Sequence, residues 1–176
     1  MLILGKGLGV GIMSAALKKG ELREKAYQQM IDACTRLNTP GMVLSDMPGV
    51  HALTDVTGFG LLGHLLEICR GSKLDARIVY EKVPVLSAAR HMLEQGFVTG
   101  ASNRNWESYG HDVTLQPGAP DTQRKLLTDP QTAGGLLVAC APDAVGKVMD
   151  AFARDGFKDA VEIGVLSGGS GKVVVA

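Results

Sequence analysis

Two short stretches set an aspartate among hydroxyl residues and glycines: LTDVTGFGLLGHL at 53–65 and LLTDPQTAGGLLVACAP at 126–142. In the first, Thr54, Asp55, Thr57 and Gly58 stand between an apolar run and a helix-forming segment. A carboxylate oxygen is a hard donor suited to Mg²⁺, and free N–H groups at the start of the following helix suit phosphate oxygens. Thr54 and Thr57 either orient the turn or donate a hydroxyl hydrogen bond, while Gly58 and Gly60 let a ligand approach the backbone without meeting a Cβ. The same pattern also suits a capped turn, so Asp55 stands between a metal or phosphate role and an architectural one. One carboxylate does not by itself close a magnesium site. In the second stretch Asp129–Pro130 forms a turn, and Gln131 and Thr132 add an amide and a hydroxyl. These residues either line the same site or make a tight entry into the strand that follows.

Other reactive side chains offer less. Cys34, Cys69 and Cys140 lie among apolar neighbours without a CxxC pair, and are expected as small buried thiols. His51, His64, His91 and His111 lack ligand spacing. His64, within GLLGHLLEIC, is expected as a partly buried structural imidazole, and His111, beside Tyr109 and Asp112, as a possible neighbour of the site. GKGLGVG at 5–11 fails the GxGxxG pattern because position 12 is Ile, and GGSGK at 168–172 fails as a phosphate loop.

The elements that must position these residues alternate between helices and short apolar strands. Helices are expected over 8–19, 21–37, 60–70, 84–96, 122–127 and 142–154, with Leu22, Ala26, Met30, Ala33 and Leu37 forming the apolar stripe of the second. Pro84 suits a first helical turn. Strands are expected over 50–54, 76–80, 136–139, 161–166 and 172–175, the last two joined by the compact turn SGGSG. Residues 98–120 read as the longest irregular section. MLIL at 1–4 reads as the end of a strand whose partners belong to an upstream segment. The pattern predicts an α/β domain of α+β character, a layered mixed β-sheet with packed helices.

The chain has 176 residues, enough for one core, and 45% of them are hydrophobic, with only 5% aromatic. Lys plus Arg and Asp plus Glu number 18 each, so no broad positive field attracts nucleic acid. No apolar run reaches membrane-spanning length. The odd cysteine count and the lack of a signal peptide point to a cytoplasmic protein.

GLGVGIMSAALKKG at 7–20, ALTDVTGFGLLGHLLEICRG at 52–71, RNWESYGH at 104–111 and LLTDPQTAGGLL at 126–137 closely resemble the carboxy-terminal part of the selenophosphate synthetases. These are ATP-dependent members of the aminoimidazole-ribonucleotide-synthetase-like superfamily. The resemblance implies a domain at 13–176, with residues 1–12 ending an amino-terminal domain or connecting to it. It implies that Asp55 contributes to magnesium coordination and that Asp55, Thr57 and Gly58 form a cofactor-binding turn. The implied cofactor is Mg²⁺, with ATP and selenide as substrates, and the implied products are selenophosphate, AMP and phosphate. The implied partners are an amino-terminal domain, which carries the catalytic cysteine or selenocysteine, and a second copy in a homodimer. None of the three cysteines here takes the catalytic place. Two departures stand out: KGLGVG replaces the family's usual KPLGTG, and DPQTAGG replaces DPQTSGG. A noncatalytic folding or dimerisation domain and an ATP-dependent enzyme acting on another substrate remain the alternatives.

Overall fold

The structure, a computed structural model, describes residues 1–176. Its strands are β1 (Leu2–Leu4), β2 (Val50–Asp55), β3 (Leu74–Ile78), β4 (Val113–Leu115), β5 (Leu136–Cys140), β6 (Val161–Gly168) and β7 (Val173–Val175). They form one mixed sheet in the order β2-β5-β1-β6-β3-β7-β4. Neighbours from β2 to β3 are antiparallel, whereas β7 runs parallel to both β3 and β4. The helices are α1 (Val10–Lys18), α2 (Glu24–Thr35), α3 (Pro40–Leu44), α4 (Gly60–Ser72), α5 (Ser87–Glu94), α6 (Gly100–Tyr109), α7 (Asp121–Leu127) and α8 (Val145–Arg154). The expected layered mixed sheet with packed helices is present, and no helix is long and apolar enough to cross a membrane.

Alternation along the strands explains the two layers. In β1, Leu2 and Leu4 join the core beneath α4, while Ile3 turns to the opposite core beneath α8. In β5, Leu137 and Ala139 face the first core and Leu136, Val138 and Cys140 the second. Both faces are covered at this point, which is why LLVAC is apolar throughout. Leu61, Leu62, Leu65 and Leu66 of α4 fill one layer, and Val148, Ala151 and Phe152 of α8 the other.

Several expectations are corrected. Leu2–Leu4 finds both its partners within this chain, β5 and β6, so the residues expected to end an upstream unit lie inside the sheet. Residues 98–120 hold α6 and β4 instead of an irregular loop. Pro84 lies outside α5; its carbonyl accepts from Leu8 N, and Val85 bridges to Leu8. The apolar stripe expected around α2 packs as Met30 with half-buried Leu22, Ala26 and Ala33, whereas Leu37 lies beyond the helix, 76% exposed. SGGSG does link β6 to β7 as expected, though not as a hairpin held by strand pairing, because β3 lies between them. The Asp75 carboxylate instead holds that turn, accepting from the N–H groups of Ser170, Gly171 and Lys172 at 2.7, 2.9 and 2.9 Å. These donors keep its carboxyl below the usual aspartate range.

Candidate functional site

β2 is an edge strand and Asp55 is its last residue. The Asp55 side chain is exposed and takes part in none of the chain's hydrogen bonds or ion pairs, so it caps nothing. The threonine before it is occupied locally, Thr54 Oγ1 donating to the Asp55 carbonyl at 3.3 Å. Asp55, half-buried Thr57 and exposed Gly58 thus share the short turn between β2 and α4. The glycines of this turn divide by role. A Cβ on Gly58 would meet nothing within 4 Å, so no packing within the chain calls for glycine there. Gly60 has φ of 68°, and a Cβ there would lie 2.7 Å from the Thr128 carbonyl carbon. Gly60 therefore serves a backbone crossing and not ligand approach, contrary to expectation.

That crossing is made by the second aspartate motif, which is the scaffold of the first. Val56 N donates to Gly135 O at 2.9 Å, and Gln131 N donates to Thr57 O at 2.9 Å. The Gln131 side chain then reaches α1, which has no side-chain cap of its own. Its Oε1 accepts from Gly9 N and Val10 N, both at 3.1 Å, and its Nε2 donates to Asp129 O and Oδ2 at 2.8 and 3.0 Å. Asp129 Oδ2 accepts from Ile12 N at 3.2 Å. A segment more than a hundred residues downstream therefore satisfies the N–H groups that open α1. Asp129 is fully buried and its Oδ1 has no hydrogen-bond partner. Burial pushes its carboxyl up to about 7, against the pull of the Ile12 N–H, the Gln131 amide and the Gly11 N–H. Of the two readings open from sequence, a lining of the same site and an architectural turn, the second describes Asp129 and Gln131.

The helix missed in the sequence holds the turn from its other side. Asn105 Nδ2 donates to Gly58 O at 2.9 Å and to Thr128 O at 3.0 Å, and Tyr109 OH donates to Phe59 O. Ser102 Oγ and Thr128 Oγ1 share a hydrogen bond at 2.6 Å. Ser102, Asn105 and Tyr109 are all buried, and their spacing puts them on one face of α6. That polar and aromatic stripe, within and beside RNWESYGH, was the available signal. Asn105→Ala is expected to leave the buried Thr128 carbonyl and the Gly58 carbonyl without their amide donor, costing about 2 kcal/mol in urea unfolding.

Within α4, His64 Nε2 lies 3.2 Å from Thr57 Oγ1 and His64 Nδ1 lies 2.9 Å from Glu67 Oε2. His64 is buried as expected, but it is also joined to the turn. His111 is not brought to it. Its Nε2 is 3.6 Å from Asp112 Oδ2, and Asp112 pairs with Arg70, about 15 Å along α4 from Gly60. Lys6 is buried and its Nζ donates to Ala33 O, Arg36 O and Ala133 O at 3.3, 2.6 and 2.7 Å. All three donors are used, so Lys6 ties α2 to the 133–135 loop. Cys69 and Cys140 are buried as expected and Cys34 is half-buried; burial raises all three thiols, Cys69 to about 11.

No group of three or more His, Cys, Asp or Glu side chains converges anywhere in the chain. Two cavities, about 480 Å³ between α2 and α5 and about 300 Å³ beside Lys6 and Arg36, do not include Asp55. The turn is an open edge that offers one uncommitted carboxylate. This fits a magnesium ion as one donor among roughly six, not as a complete site.

The family model described as AIR synthase related protein, C-terminal domain, matches residues 1–176. A selenide, water dikinase from Burkholderia pseudomallei is 55% identical over 176 residues, covering 100% of this chain and 50% of that protein. One from Pseudomonas straminea is 56% identical over 175 residues, covering 99% and 49%. The chain thus spans about half the length of the curated relatives it matches. Among solved structures, E. coli HypE superposes with a TM-score of 0.70 at 22% identity, over 100% of this chain and 46% of that one, a likeness of fold.

Proposed function

Since the chain belongs to the AIR synthase related protein family, matching its C-terminal domain from end to end, we propose that it forms the carboxy-terminal half of an ATP-dependent selenide, water dikinase. The observation that carries the reading is Asp55: an exposed, unpartnered carboxylate on a turn that α6 and the 131–135 segment hold from two sides. Identity above 50% to relatives named selenide, water dikinase supports it.

Asp55 and Thr57, with Gly58 leaving room for close approach, face the nucleotide in this reading, and Asp55 supplies one hard oxygen to Mg²⁺. Bound magnesium supplies neutralisation of charge developing on phosphoryl oxygens. This chain's part is positional: α6, the 128–135 segment and β5 keep the Asp55 turn from relaxing as charge gathers in front of it. The remaining metal ligands and the selenide-handling thiol or selenol come from an amino-terminal half. That half and a second copy in a cytoplasmic homodimer complete the enzyme.

Asp55→Asn in the full-length protein tests this. Magnesium-dependent ATP turnover with selenide is expected to fall about a hundredfold, because a neutral amide is a weaker ligand for a hard dication. Since the Asp55 side chain bonds to nothing in the chain, the variant's stability in urea unfolding should move by less than about 0.5 kcal/mol. Unchanged turnover overturns the assignment.

A further inference from the structure

The chain Thr57–His64–Glu67 fixes a polarity that none of the three residues has alone. A carboxylate is an acceptor only, so the Glu67 oxygen at 2.9 Å from His64 Nδ1 requires the proton on Nδ1. When His64 is neutral this is its single ring proton, which leaves Nε2 as a lone pair. Nε2 lies 3.2 Å from Thr57 Oγ1, so the threonine hydroxyl donates to it. Once that hydrogen is spent, Thr57 Oγ1 has only lone pairs left for any other partner. His64 is held in this orientation, being only 7% exposed, with the Phe59 ring 5.8 Å away.

We propose that His64, oriented by Glu67, is a positioning residue that presents Thr57 as a hydrogen-bond acceptor, so the turn receives a cation or its bound water at Thr57 and not a phosphate oxygen. The proposal rests on the reading of Asp55 as a magnesium ligand and adds the direction of the hydroxyl two residues on. It reverses the donor role that sequence alone offered for Thr57. A hydroxyl donating to an anion would have to take its own hydrogen bond from His64, and the Glu67 carboxylate holds the ring the other way round. The three residues then act in series: Glu67 sets the tautomer, the tautomer sets the hydroxyl, and the hydroxyl selects the sign of its partner.

The test uses the full-length protein labelled with ¹⁵N-histidine, with His64 assigned by the signal lost in His64→Phe. At mildly alkaline pH the imidazole spectrum should show the Nδ1–H tautomer for His64, and Glu67→Gln should admit the other one. Mn²⁺ affinity in the presence of ATP, read by electron paramagnetic resonance, then reports the consequence. Thr57→Val and His64→Phe are each expected to weaken it about tenfold. The double variant should be no weaker than either single one, and Thr57→Ser should retain affinity. An Nε2–H tautomer in the unmodified protein overturns the proposal, as does Mn²⁺ affinity unmoved by Thr57→Val or a fully additive double variant. Failure of the underlying reading looks different: Mn²⁺ affinity unmoved by Asp55→Asn, with the Nδ1–H signal in place.

Discussion

Gly134→Ala is expected to destabilise the domain by about 3 kcal/mol or more, measured as the shift in urea unfolding. A Cβ at this position would lie 2.0 Å from Val56 O, 2.8 Å from the Gln131 Cβ and 3.1 Å from the Val56 carbonyl carbon. None of these atoms is free to retreat. Val56 N is tied to Gly135 O at 2.9 Å, Gln131 N to Thr57 O at 2.9 Å, and the Gly134 carbonyl accepts from Asn38 Nδ2 at 2.8 Å. Room for one methyl group is made only by parting the two aspartate segments, which breaks those bonds together. Gly58→Ala is the control, since its Cβ meets nothing within 4 Å and should cost less than about 1 kcal/mol. Equal stabilities for the two variants would mean that the crossing of the segments is looser than its geometry.

The second large effect is a dependence on pH. In the unfolded chain the Asp129 carboxyl ionises near the ordinary value of 3.8, whereas burial raises it to about 7 in the folded protein. Between these values the native state holds a proton that the unfolded state has released. Stability is therefore fully supported below the lower value, declines as pH rises through the window, and has lost this contribution above about 7. If the whole shift is realised, the decline amounts to roughly 4 kcal/mol. Asp129→Asn cannot titrate, so its urea midpoint should stay nearly level across the same range. Every other ionisable group is common to both proteins and cancels in the comparison. Asp75, Asp112 and Asp121 are shifted the other way, Asp121 to about 2 by its hydrogen bonds from Arg124 and Lys125. Their stabilisation is lost only as pH falls below the ordinary aspartate range, outside this window. Parallel slopes for the two proteins would show that Asp129 is ionised when folded.

What could be read from the sequence was local. Asp55, Thr57 and Gly58 fall in one turn because a strand, a glycine and an apolar helix follow each other directly, and such neighbours need no knowledge of the rest of the fold. The work of Asp129 and Gln131 could not be read this way. Their partners, Gly9, Val10 and Ile12, are some 120 positions away, and nothing in DPQT distinguishes capping a distant helix from binding a ligand. α6 escaped for another reason. Gly100, Ser102, Asn103 and Asn105 are weak helix formers, and the face that α6 buries is polar, directed at carbonyl groups instead of an apolar core. An apolar-period search passes over such a helix. MLIL was legible as strand, but β1 is only three residues long and nothing in it points to partners at 137–139 and 161–164.

The position of those three residues governs how the chain assembles as it is made. Leu2, Ile3 and Leu4 are made well before their partners, which lie at 137–139 and 161–164. At a synthesis rate of about 5–20 residues per second, this apolar tripeptide waits on the order of ten seconds for β5 and longer for β6. The sheet is thus completed by inserting its oldest strand between two of its youngest. Until then the nascent chain has an apolar gap in the middle of its future sheet, where a ribosome-associated chaperone has its longest opportunity to bind.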